Sequence, residues 1–331
     1  MDYGLNSSDN CTLKPAVSHS EVLPWFYLFL ALLGFLTNGL VLFDLWRAKR
    51  KPTAIFGLNM VVSDIILCIS FFFRIAFYKN SNHWKADAPL CSGVLSVAIA
   101  VFYVNIYCNM CFLLWTSINR YVTVVQPNYA VLQAFRKPQR CHLLCAATWL
   151  LFLVTVSARV GSTIVKTSET IDTCFHLMVK KEPTVSLVFG TMLFFFILGA
   201  MLVSYGLLLR HLQKICRSSL MSAWFGPGGG LRVKRKVLAS MLVFLACFLP
   251  HHIMRSIMLL SEPGNCTTMA QKYSQVKSVT VLVAALNCCL NPILYLVLRS
   301  PCCRGKRPKR SPVVTDCSRN QVPQINITEA S

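Results

Sequence analysis

Apolar residues along this chain fall in long blocks rather than in alternating or narrow amphipathic patterns. Seven blocks match the about 20 mostly apolar residues that a helix needs to cross a bilayer, near 22–46, 54–78, 92–119, 141–160, 184–209, 233–260 and 273–298. In hydrocarbon every backbone N–H and C=O must be satisfied within the protein, so such blocks predict helices. The predicted fold class is an all-α membrane protein, a seven-transmembrane helix bundle over 22–299. It lies between an N-terminal segment, 1–21, and a polar, proline-containing tail, 300–331, expected to be largely disordered. Polar sequence with Asn6, Asn10 and Cys11 precedes the first block, which therefore reads as a signal anchor rather than a cleaved leader.

Composition agrees: the 331 residues are 55% hydrophobic and 14% charged, with mean hydropathy +0.54, too apolar for an ordinary soluble domain. The formal charge of +21 raises the question of nucleic-acid binding, but position answers it. Basic groups around Arg47–Lys51, Arg136–Arg140, Arg210–Arg217, Arg232–Lys236 and Arg299–Arg310 flank the blocks on one side. By the positive-inside rule that side is the cytosol, with the N-terminus outside and the C-terminus cytosolic, and no nucleic-acid polymer is expected as partner. Glycosylation sequons at Asn6, Asn10 and Asn265 fall on the opposite side, as this topology requires. A further match at Asn326 falls in the cytosolic tail and is read as chance.

Of 16 cysteines, most lie inside the blocks, where they serve as small apolar core residues. Cys11, Cys91, Cys174 and Cys266 lie in extracellular segments or at an outer helix end, where disulfides form, and four cysteines allow three pairings. The compact paired spacing of a zinc site is missing. Cys302 and Cys303 sit beside the last block among basic residues, which suits palmitoylation supported by a polybasic membrane contact.

Particular motifs then resemble a rhodopsin-like (class A) G-protein-coupled receptor. They occur in that family's order: Asn38 in TNGLVL, Asp64 in LNMVVSD, Asn119-Arg120-Tyr121 in INRYVTVVQP, Trp149, CFLP ending at Pro250, and NPILY from Asn291 and Pro292 to Tyr295. Phe248 in place of tryptophan, with His252 and Arg255 after Pro250, is similar to the purinergic, platelet-activating-factor and lysophospholipid-related cluster, and most like its orphan members. The favoured disulfides, Cys91–Cys174 and Cys11–Cys266, also resemble that cluster. The resemblance implies a receptor rather than an enzyme, a multi-pass location in the cell membrane, a heterotrimeric G protein and arrestin as partners, and contact with membrane lipids.

Residue roles follow from the same resemblance. Asp64, Asn109, Asn287 and Asn291 would surround an allosteric sodium ion, for which oxygen donors are suited. Asn119, Arg120, Tyr121, Tyr205, Phe248, Pro250, Asn291, Pro292 and Tyr295 would carry activation, with span six hinging near Pro250. Glycines in SAWFGPGGG leave the loop before span six flexible.

The candidate ligand site is built on spacing. Phe248, His251, His252 and Arg255 share one helical face, outward of Pro250. His252 and Arg255 with Lys277 form a cationic group suited to phosphate or carboxylate, such as a nucleotide or lysophospholipid. Tyr103 and Tyr107, four apart, add aromatic and hydroxyl contacts. Lys166, Lys180 and Lys181 read as a solvated loop that attracts anions at long range. His251 receives no role.

Several departures from the family pattern carry expectations. Asn119 replaces the usual aspartate, removing a carboxylate that restrains Arg120 and favouring constitutive activity. No proline lies between Pro183 and Pro227, so span five lacks its usual one. From Cys91 to Arg120 the chain is about one helical turn longer than is usual in the cluster, to be taken up as about 5.4 Å of helix or as a bulge. Pro301, Gly305 and Pro308 oppose an eighth helix. His83, His176, His251 and His252 raise proton sensing as another reading. An intramembrane enzyme or transporter would need paired catalytic groups, a metal motif or inverted repeats, none of which the sequence carries.

Overall fold

The computed structural model describes residues 21–47, 51–80, 89–125, 129–166, 184–217, 229–260 and 268–299. Seven helical segments among them are long and apolar enough to cross a membrane. Spans one to four are the helices Leu23–Arg47, Pro52–Asn80, Pro89–Val125 and Pro138–Lys166. Spans five and six are Thr184–Arg217 and Gly229–Leu260, and span seven combines Thr268–Ala285 with Asn287–Arg299. A single turn, Ala130–Gln133, and a 3-10 turn, Ala134–Arg136, connect spans three and four.

Apolar residues sit on both sides of these helices because lipid replaces water as solvent. On span one, Tyr27, Ala31, Gly34, Asn38, Val41 and Leu45 are buried at helical spacing. Phe29, Leu32, Leu36, Leu40 and Phe43 occupy the opposite, exposed face. Burial rather than polarity separates inside from outside. Span three is the axis of the bundle: 72% of its apolar stretch is buried, against 22% for span four. It packs on spans two, four and five, while span one closes the ring against spans two and seven.

Helix ends depart from the hydropathy reading wherever a helix continues beyond the lipid. Span four runs to Lys166, so that residue ends a helix rather than lying in a loop. Span six already starts at Gly229, making Gly229 and Gly230 helical rather than loop. Span three is an unbroken 37-residue α-helix, so the extra turn is taken up as length and not as a bulge. Span five is likewise continuous over 34 residues, as a proline-free sequence permits.

Span seven breaks locally at Leu286, and the helical bonds resume with Leu290 N–H donating to the Leu286 carbonyl at 2.9 Å. One turn later Pro292 has no N–H to offer the Cys288 carbonyl. The buried Asn38 amide fills that gap, donating to the Cys288 carbonyl at 2.8 Å and to the Gly34 carbonyl at 2.9 Å. Gly34 allows the close approach, since a Cβ there would collide with Cys68 Sγ. Asn38→Ala should therefore strand a buried acceptor and destabilise the receptor by about 1–3 kcal/mol, read as a lower melting temperature in detergent. An unchanged melting temperature would contradict this account of Asn38.

Candidate functional site

Arg255 lies in the outer half of span six, five residues beyond Pro250, and is 3% exposed. An arginine at this depth could snorkel to the membrane surface, but this one turns inward. Its Nη1 donates to the Tyr103 hydroxyl at 3.0 Å and its Nη2 to the Ser186 carbonyl at 2.9 Å, joining spans three, five and six. Its guanidinium also lies 5.3 Å from the Tyr103 ring centre. Gly190 makes room on span five: a Cβ there would collide with the Tyr107 hydroxyl and stand 3.1 Å from Arg255 Nη2.

Aromatic rings form the floor. Tyr103 stacks on Tyr107 at 6.3 Å, and Tyr107 on Phe152 at 5.6 Å. His252 is stacked on Phe194 at 4.2 Å, with Tyr107 at 6.2 Å, and neither of its buried ring nitrogens has a hydrogen-bond partner. His251, which has no role on sequence grounds, belongs to the same cluster: it is buried edge-on against Phe102 at 5.8 Å. Lys277 is half-buried on span seven beside the buried Ser278.

A second buried guanidinium escaped the sequence reading. Arg74 on span two is 6% exposed, donates to the Ala98 carbonyl at 3.3 Å and lies 4.9 Å from the Phe102 ring and 5.7 Å from the Tyr27 ring. Its Nε has no partner. Phe102 thus stands between Arg74 and His251. The signal was present in FFFRIAFYK, because an ionisable residue within a span marks a functional interior as Asp64 does.

Asp64 sits deeper. Its Oδ1 accepts from Asn109 at 2.6 Å and from Asn105 at 3.0 Å. Asn105, absent from the sequence-based set, also donates to Ser63 at 3.0 Å. Asn287 and Asn291 bond each other at 2.9 Å rather than joining Asp64. Asn109 Oδ1 and Asn287 Nδ2 are buried without partners, so the cluster retains unspent polar capacity.

At the inner end Arg120 Nη1 lies 3.5 Å from the Tyr205 hydroxyl. Asn119 donates to the Phe135 carbonyl at 2.6 Å, holding the 3-10 turn between spans three and four. Phe248 is fully buried against Phe244 at 5.3 Å, while Tyr121 and Tyr295 are half-buried. The sites at Cys11, Cys174, Cys266, Asn6, Asn10, Asn265, Cys302, Cys303, His83, His176, Lys180 and Lys181 lie outside the described residues, as does the Cys91 side chain.

Seven membrane spans around a central third helix, with a buried cationic and aromatic site between them, define a polytopic membrane receptor. The profile of the 7 transmembrane receptor (rhodopsin family) matches residues 37–295, and the chain belongs to that family. It is therefore a multi-pass cell-membrane receptor and not an enzyme. The chain is 30% identical to purinoceptor 4 of Mus musculus, with 87% of this chain and 81% of that one covered. It is 29% identical to cysteinyl leukotriene receptor 2 of Sus scrofa, with 88% and 81% covered. Somatostatin receptor type 1 of Rattus norvegicus is 28% identical, with 88% and 72% covered.

Proposed function

We propose that this receptor binds a small anionic extracellular ligand, of nucleotide or lysophospholipid type, and activates a heterotrimeric G protein. One observation carries the ligand class: two guanidinium groups, Arg74 and Arg255, are buried in the outer half of the bundle, 6% and 3% exposed. Burying a cation is costly, and their described hydrogen bonds go to carbonyl and hydroxyl oxygens. An anion among Arg255, His252, Lys277, Tyr103 and Tyr107 would compensate that cost, and Arg255 would supply a fork for two oxygens. The relatives named for purines and for cysteinyl leukotrienes support a ligand of this kind. In this reading the N-terminus is extracellular, and the basic inner ends of the spans meet the G protein and arrestin.

The experiment is a panel of nucleotides, lysophospholipids and carboxylic acids in a pan-G-protein assay, comparing wild type with Arg255→Ala and Lys277→Ala. Loss of the response at unchanged surface expression supports the site. A response that survives both changes removes it.

Sodium is the proposed allosteric ion. Asp64 and the unspent Asn109 Oδ1 supply oxygens suited to it, and Asn287 and Asn291 would join by turning an amide oxygen inward. Sodium should lower agonist affinity in wild type and have no effect in Asp64→Asn. Equal sodium responses in the two would rule out the ion.

Constitutive activity is a second reading. It is favoured by Asn119 being committed to the Phe135 carbonyl, while Arg120 reaches Tyr205.

A further inference from the structure

Away from the anion site, a cavity of about 350 Å³ lies between spans two, three and four. Helical spacing builds it: Ala100, Val104 and Asn105 form a stripe on span three, and Trp149, Leu153 and Ser157 form one on span four. Its rim faces lipid, with Ile66 41% and Leu153 49% exposed. This size is that of a small-molecule site. No charged residue lines it, so the occupant is neutral.

The cavity's polar floor specifies more. Asn105 Nδ2 donates to Ser63 Oγ and to Asp64 Oδ1, both at 3.0 Å, which uses both amide hydrogens. Two capacities are unspent among the described bonds: the Ser63 hydroxyl proton, which can donate, and Asn105 Oδ1, which can accept. A hydrocarbon chain satisfies neither, and unsatisfied polar groups are costly at this depth. One hydroxyl satisfies both, accepting from Ser63 and donating to Asn105.

We propose that this cavity is a second binding site, entered from the bilayer, for a neutral lipophilic alcohol whose hydroxyl docks on Ser63 and Asn105. Because Asn105 also holds Asp64, occupancy reaches the polar centre of the bundle from outside the helix ring.

The test uses the full-length receptor in phosphatidylcholine nanodiscs, with a diazirine-bearing dodecanol and its methyl ether as photoreactive probes. The ether can accept from Ser63 but cannot donate to Asn105. The alcohol should label peptides of spans two to four about fivefold more than the ether, the factor for one net hydrogen bond. Ser63→Ala should bring the alcohol close to the ether's level, and Ala100→Phe, which fills the cavity, should abolish specific labelling. If Ala100→Phe does not fold, Leu153→Trp blocks the mouth from the lipid side. Equal labelling by alcohol and ether, or labelling that persists in a folded blocked variant, would show an acyl-chain groove only and overturn the proposal. Labelling does not depend on signalling, so this result stands apart from that of the anion-receptor reading.

Discussion

Arg255→Ala is expected to reduce the potency of an activating anion by about 30-fold to several thousand-fold. Truncating one partner of a buried, hydrogen-bonded charge pair costs about 2–5 kcal/mol, and each 1.4 kcal/mol is about tenfold. Arg255 is buried and lies where spans three, five and six meet, so an anion there changes contacts among all three. Arg255→Lys separates charge from geometry: it keeps the cation but loses the fork that reaches Tyr103 and Ser186 together. Its potency should fall between wild type and Arg255→Ala. Truncation also leaves the Tyr103 hydroxyl and the Ser186 carbonyl without this donor, so surface expression and melting temperature belong in the measurement. If a stable Arg255→Ala receptor responds to the anion with wild-type potency, the ligand is held elsewhere.

The spans were legible because hydropathy reports the solvent around a helix, and lipid leaves a strong mark. Helix ends were less legible for the same reason: beyond the bilayer, Arg210 to Arg217 and Pro89 onward remain helical without an apolar signature. In the candidate ligand site, spacing alone could put Phe248, His252 and Arg255 on one face, because all lie on one helix. Partners across helices were not readable that way. Asn38 meets Cys288 across 250 positions, and the need arises from Pro292, one turn further along. Arg74 was legible by depth alone and was missed within a run of phenylalanines. Asn105 looked like one more polar residue in span three until Asp64 and Ser63 were placed beside it.

Asn119→Asp should lower ligand-independent signalling by about tenfold, and the reason lies in what asparagine does at this position. Asn119 Nδ2 donates to the Phe135 carbonyl at 2.6 Å, and Trp115 packs on the Phe135 ring at 5.8 Å, so the turn before span four is tied to span three. An ionised aspartate cannot donate. It would lose that bond, set a negative charge against the carbonyl and turn towards the adjacent Arg120 guanidinium. Hydrogen bonds to charged groups contribute about 1.5–3 kcal/mol, enough to compete with the 3.5 Å approach of Arg120 to Tyr205. Arg120 would then be restrained at its own helix, and the inner end of the bundle would spend less time in the G-protein-binding arrangement. Asn119→Ala supplies the control, because it removes the Phe135 bond without adding a carboxylate. Basal G-protein turnover should fall markedly further in Asn119→Asp than in Asn119→Ala. Equal basal turnover in the two would mean that Asn119 acts only through the turn it holds, and that the missing carboxylate does not set the resting activity.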